Sequence, residues 1–233
     1  PETPAISVDR SFSLTPGEVA GQWQLAVHLT DVAAYIPQES TIDHEAQRRG
    51  TAIFLGDLII PLLPEPVIQA LNLTPGNDRL AISLVFAIDT NGDVLDYEIQ
   101  PTVIRVDTSL TYESAAAFFP EKKGEVVANP KGQLKGQPIW IAETIAALWS
   151  ISTALREQRY ERGSFDLALP ETQAHFDDET QLGAMVTAPL SPAQAMVSEV
   201  VLLVNQSIGE HLNALGVPAL HSVQPAVDPV DAI

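Results

Sequence analysis

The 233-residue chain contains no cysteine, which excludes disulfides, thiolate metal sites and cysteine nucleophiles. Basic residues are scarce: 12 Lys and Arg stand against 30 Asp and Glu, a formal net charge of −18. That balance argues against general polyanion binding, which works by neutralising phosphates with Lys and Arg. No apolar run approaches the roughly 20 residues needed to cross a bilayer. No charged start leads into a short apolar stretch of the signal-peptide kind. These absences fit a cytoplasmic protein. Also missing are G-x-S-x-G, a Walker A loop, the Rossmann glycine pattern, H-E-x-x-H and C-x-x-C.

What remains is a globular composition. Hydrophobic residues make up 45% and charged residues 18%, enough for a sizeable core. The few cations are clustered. All four lysines, Lys122, Lys123, Lys131 and Lys135, fall in one segment, and Arg156, Arg159 and Arg162 follow it. An acidic body with one basic stretch is compatible with a polyanion lying along one path. It is equally compatible with a solvated loop and helix end.

Residues 23–29, WQLAVHL, put Trp23, Leu25, Val27 and Leu29 on one face of a half-buried strand. Residues 42–50 read as a helix stopped by Gly50, and PLLPEP closes an apolar run as a rigid turn that opens a further helix. AISLVFAI (81–88) and VLDYEIQPTVIRV (94–106) flank Asn91-Gly92, a strong hairpin signal. The same DTNGD letters resemble a calcium loop, but glycine comes fourth where that loop needs it sixth. Pro101 marks its strand as an edge or a bulge. Residues 121–137 read as a loop or an exposed hairpin. Residues 138–162 form a long helix with an Ile141, Ile145, Leu148, Ile151, Leu155 stripe, ended by Gly163. Ser191-Pro192 caps a last helix, with Val197, Val201, Val204, Ile208, Leu212 and Leu215 as its apolar face and Gly216 as its stop. Strands followed by helices, with little βαβ alternation, predict an α+β domain.

His28, His44, His175, His211 and His221 show no metal-ligand spacing and read as structural or exposed. HFDD (175–178) could hold a cation or simply form a turn.

The order of certain phrases says more. VHLTDVAAYI (27–36), IDHEAQRRGTAIFL (42–55), IPLLPE (60–65), LNLTPGNDRLAIS (71–83) and VIRVDTSLTYE (103–113) follow one another closely. REQRYERGSFDLALPE (156–171) and MVSEVVLLVN (196–205) come later. In this order they resemble the catalytic RNB domain of the ribonuclease II and ribonuclease R family. The resemblance implies an RNB-type α+β fold, mainly antiparallel strands in the N-terminal half with long amphipathic helices packed against them. It implies one domain over 1–233 that is C-terminally incomplete, and flanking cold-shock and S1-type modules in a longer, monomeric protein. It implies a 3′-to-5′ hydrolytic exoribonuclease acting on single-stranded RNA, with two Mg²⁺ (or Mn²⁺) ions that release nucleoside monophosphates. Mg²⁺ takes oxygen ligands, and a pair of ions stabilises the attacking and leaving oxygens.

The family's acid cluster falls on ISVDRSFSL (6–14). There Asp9 keeps its carboxylate as the expected catalytic and metal residue, while Ser7 and Arg10 occupy other acid positions. A cation about 4 Å from a metal costs about 4 kcal/mol at an effective dielectric near 20, so the expected centre is degraded. For RNA, the resemblance implies Phe54 as a base-stacking aromatic and Glu199 near the sugars, with Ser198 replacing a second acid. The second stacking aromatic falls on Leu167, with Phe165 nearby. Lys131, Lys135, Arg156 and Arg159 are the candidate phosphate contacts. Asp31, Asp43, Arg49 and Arg79 read as caps or ion pairs. Two readings follow: an exoribonuclease domain impaired in this chain, or an inactive RNB-like domain that binds RNA or a protein partner.

Overall fold

The computed structural model describes residues 8–55, 58–116, 118–119, 139–166, 172–178, 181–186 and 191–222. The central element is a four-stranded antiparallel sheet of β1 (Arg10–Pro16), β2 (Gln22–Thr30), β5 (Asp78–Asp89) and β6 (Val94–Arg105), in the order β1-β2-β5-β6. Between β2 and β5 lie α1 (Val32–Tyr35), α2 (Thr41–Arg49), the hairpin β3 (Ile53–Leu55) and β4 (Leu58–Ile60), and α3 (Glu65–Leu71). After β6 come α4 (Tyr112–Ala116), α5 (Ile139–Glu161), the hairpin β7 (Thr172–Asp178) and β8 (Gln181–Val186), and α6 (Pro192–Ala214).

The period-two pattern of β2 does what it predicts. Leu25 pairs with Phe86 and Val27 with Leu84, and all four are buried on the face that meets α5 and α6. Leu148, Ile151 and Leu155 of α5 and Met196, Val200 and Val204 of α6 complete this core. Burying a side chain such as Phe86 stabilises the fold by about 1.5–3 kcal/mol, and truncating it to alanine would cost about 3–5 kcal/mol. Ile141 and Ile145, earlier on the α5 stripe, join Ala142 and Phe118 in a smaller cluster.

The chain punctuation is local chemistry. Gly50 ends α2 in the left-handed region at φ +70°. Ser191 and Gln194 form a reciprocal capping box at the start of α6. At its end the Val217 N–H donates to Leu212 O at 3.0 Å, with Gly216 at φ +65°. Pro101 lies on β6, an edge strand.

The DTNGD stretch is a hairpin loop. The Asp89 carboxylate accepts the backbone N–H groups of Asn91 (2.8 Å) and Asp93 (2.9 Å), so its oxygens serve the turn. Gly92 has φ +86°, and a Cβ there would lie 3.0 Å from Leu155 N and 3.1 Å from Ala154 C. The hairpin tip therefore rests on the α5 backbone, and Gln158 Nε2 ties it down through Asn91 O (3.1 Å) and Asp93 Oδ1 (2.7 Å).

One expectation needs correction. The buried face of α6 is Ala193, Met196, Glu199, Val200, Val204 and Ser207, while Leu215 is exposed. Val197 and Ile208 flank this face, packed against the core while partly exposed. Apolar residues follow one another so densely in MVSEVVLLVN that several helical faces fit the period. Tertiary contact with α5 selects the one that carries Glu199.

Candidate functional site

Asp9 sits where β1 begins, and its backbone is clasped on both sides. Thr30 of β2 donates its backbone N–H to Asp9 O at 3.0 Å. The neighbouring Val8 donates N–H to Asn72 Oδ1 at 3.0 Å and accepts from Leu73 N at 2.8 Å. These contacts hold the start of β1 between the end of β2 and the C-terminus of α3. The Asp9 side chain is bound by its neighbour: Arg10 Nε donates to Oδ1 at 2.9 Å and Nη2 to Oδ2 at 3.2 Å. This fork raises the Arg10 pKa, with a smaller contribution from nearby Tyr112.

Asp9 and Phe54 line one open cavity of about 260 Å³. Its wall is apolar, built by residues such as Ile59, Leu63, Ile68 and Leu71, with Thr30 and Asn72 as polar members. Phe54, on β3, is 69% exposed, so it is not a core phenylalanine. An unburied aromatic forgoes the roughly 1.5–3 kcal/mol of burial.

Glu199, Arg159 and Arg156 meet elsewhere, at the seam of α5 and α6. Glu199 is 9% exposed and receives Arg159 through Nη2–Oε1 (2.7 Å) and Nε–Oε2 (3.1 Å). That fork raises the Arg159 pKa. Arg156 and Tyr160 both bond Asp166, whose pKa they hold down at about 2. Both guanidinium groups lie over the Tyr160 ring, at 5.3 and 5.1 Å from its centroid. The network accounts for all three residues without a ligand; a role on RNA rests for Glu199 on the family resemblance and for the arginines on the clustering of basic residues in the sequence. Phe165 is exposed beside it. Lys131, Lys135 and Leu167 lie outside the described residues, as does the side chain of His175.

The caps are where expected. Asp31 accepts from Ala34 N at the start of α1, and Asp43 from Glu39 N. Arg49 bonds Glu45 and Pro61 O, and Arg79 bonds Asn72 O. His28 bridges Ser13 Oγ (3.1 Å) and Ser83 Oγ (2.6 Å) across the sheet, and burial lowers its pKa. Two features escaped the sequence reading. The Asp9–Arg10 fork was signalled by adjacency, and the Arg159–Glu199 pair, between residues forty apart in the chain, gave no local signal.

The donor set does not fit a two-metal centre. Among the described residues no three His, Asp or Glu side chains group to hold a metal ion. Glu2 and Asp9 are the only carboxylates of the first 17 residues, and both Asp9 oxygens already accept from Arg10.

Residues 3–232 match the family model described as the RNB domain. The chain belongs to the RNB family. Among relatives, the acetazolamide conferring resistance protein zam of Synechocystis sp. is 32% identical over 212 residues, 91% of this chain and 26% of that protein. Ribonuclease R of Thermotoga maritima is 29% identical over 211 residues, 90% of this chain and 28% of the enzyme. The RNB domain described here thus spans about a quarter of the length of these relatives. Two solved structures share its fold. RNase R of Mycoplasma genitalium, in complex with ribose methylated single-stranded RNA, has TM-score 0.78 at 21% identity, covering 92% of this chain and 32% of that one. Yeast Ssd1, described as a pseudonuclease, has TM-score 0.64 at 15% identity, covering 88% of this chain and 23% of that one. The fold therefore occurs both in ribonucleases and in a protein that is not one.

Proposed function

We propose that this RNB domain holds single-stranded RNA in the Asp9–Phe54 cleft and does not assemble a hydrolytic two-metal centre from its own acids. One observation carries the reading. The one acid retained in ISVDRSFSL is bound by Arg10 through both oxygens, at a cleft that still presents an exposed aromatic. A lone, cation-paired carboxylate cannot supply the several oxygen ligands that Mg²⁺ requires. An exposed ring can stack on any base, worth about 1–3 kcal/mol. The complex of the Mycoplasma enzyme with RNA supports RNA as the ligand class.

A second reading is a 3′-to-5′ exoribonuclease in which acids from other parts of a longer protein complete the centre. The name ribonuclease R carried by the Thermotoga relative favours it. Incubating the 233-residue chain with 5′-labelled single-stranded RNA in Mg²⁺ or Mn²⁺ separates the two. The expected result is retention of the RNA in a binding assay with no shortening. A ladder of products, lost in Asp9→Asn, would overturn the binding-only reading.

A further inference from the structure

Arg10 stands where the family resemblance requires an acid, and its geometry gives it a use. A guanidinium carries five N–H donors. The fork on Asp9 engages Nε and Nη2. Both hydrogens of Nη1 and the second hydrogen of Nη2 are outside that fork. They form a second flat edge, the shape that receives two phosphate oxygens at once. The side chain is 40% exposed, and among the described residues Asp9 is its hydrogen-bond partner.

Two polar oxygens of the cleft wall are engaged with the backbone, which leaves the Asn72 amide N–H groups as its neutral donors. Thr30 Oγ1 donates to Leu71 O (3.2 Å), and Asn72 Oδ1 accepts from Val8 N (3.0 Å). The wall carries no cation of its own, and Arg10 reaches it through Asp9, which lines the cavity. At about 260 Å³ the cavity is smaller than the roughly 300–1,000 Å³ of drug-sized pockets, which suits one ring system.

We infer that Arg10 has taken over phosphate binding from the metal: the cleft grips single-stranded RNA with a phosphate on the Nη1–Nη2 edge of Arg10 and a base on Phe54, and needs no divalent cation. This rests on the RNA-binding reading above and goes beyond it by naming the phosphate ligand and the metal independence. Asp9 aims the guanidinium and leaves the second edge open.

The test is fluorescence anisotropy of a 5′-fluorescein oligouridylate at several low salt concentrations, once in EDTA and once in Mg²⁺. Parent, Arg10→Gln, Arg10→Lys, Phe54→Ala and the double variant Asp9→Asn/Arg10→Gln are compared, with folding checked by circular dichroism. The double variant has the parent's local net charge, so its loss reports the missing ligand rather than an uncovered aspartate. The expected result is equal parent affinity in EDTA and Mg²⁺. Arg10→Gln and the double variant should each weaken binding about tenfold and flatten the salt slope by about 0.7, one single-strand phosphate contact. Arg10→Lys should keep the slope and recover part of the affinity. Phe54→Ala should weaken binding with the slope unchanged. Undiminished affinity and slope in the double variant, with loss in Phe54→Ala, would overturn the Arg10 assignment while RNA binding stands. A Mg²⁺ requirement in the parent would overturn it as well. No parent binding at any salt would overturn both readings.

Discussion

Replacing Arg159 with leucine removes its fork on Glu199 at the α5–α6 seam, together with its longer contact to Asp166 (3.3 Å). The Glu199 side chain is 10% exposed and that of Arg159 23%, so the pair is largely out of water. Removing the cation leaves a carboxylate in the seam with no partner of opposite charge on the fork. Breaking a buried pair in this way costs about 3–5 kcal/mol. The partial exposure of Arg159 lets some water reach the site, which lowers the expectation to about 2–3 kcal/mol. For a domain of this size that is a fall in Tm of roughly 4–12 °C. Replacing both residues, Arg159→Leu with Glu199→Leu, removes the charge and its partner together. The double variant should return to within about 1 kcal/mol of the parent, because an apolar pair of similar volume is often neutral there. Urea unfolding followed by circular dichroism, arranged as a double-mutant cycle, gives the coupling directly. Additive single effects, with coupling below about 0.5 kcal/mol, would refute the reasoning that each charge is held in the seam by the other.

Gly92→Ala combines an unfavourable positive φ with a Cβ 3.0 Å from the α5 backbone, so it should destabilise the domain by about 1–3 kcal/mol in the same unfolding assay. Burial holds the His28 pKa below its usual 6.5, so the unfolded chain takes up the proton first. That stability is present above about pH 6.5 and is lost as pH falls through the folded value, and His28→Gln should flatten the decline of the urea midpoint over this range. Ser7→Asp with Arg10→Asp adds two carboxylates beside Asp9 and removes one cation, so calorimetric titration should show Mn²⁺ binding that the parent lacks. Ser191→Ala removes one half of the α6 capping box and should cost about 0.5–2 kcal/mol, read as a shift in the urea midpoint.

Elements whose partner is solvent on one side and core on the other were legible. The β2 sequence alternates, although Ala26 is buried on its other face as well; the α5 stripe repeats at helical spacing, and Gly50, Ser191 and Gly216 punctuate the chain by local chemistry. The exposed Phe54 was legible only through the order of phrases, since a strand aromatic reads the same in a core. The α6 face was misread because its apolar residues fill several faces, and the choice among them depends on Arg159 arriving from α5. Arg156, Arg159 and Arg162 read alike in sequence as part of one basic stretch at a helix end. The structure separates two of them: Arg156 bonds Asp166, while Arg159 bridges Glu199 and Asp166.

Among the described residues the outer edge of the sheet has a consequence for assembly. β6 is an outermost strand, and its exposed positions include Asp96, Glu98, Pro101 and Arg105. A second chain trying to extend the sheet there would meet a missing N–H at the proline and, in a like-for-like alignment, acid against acid. Fibril growth by strand addition is discouraged at its first step. Copies of this domain can therefore stand close together without their β6 edges joining.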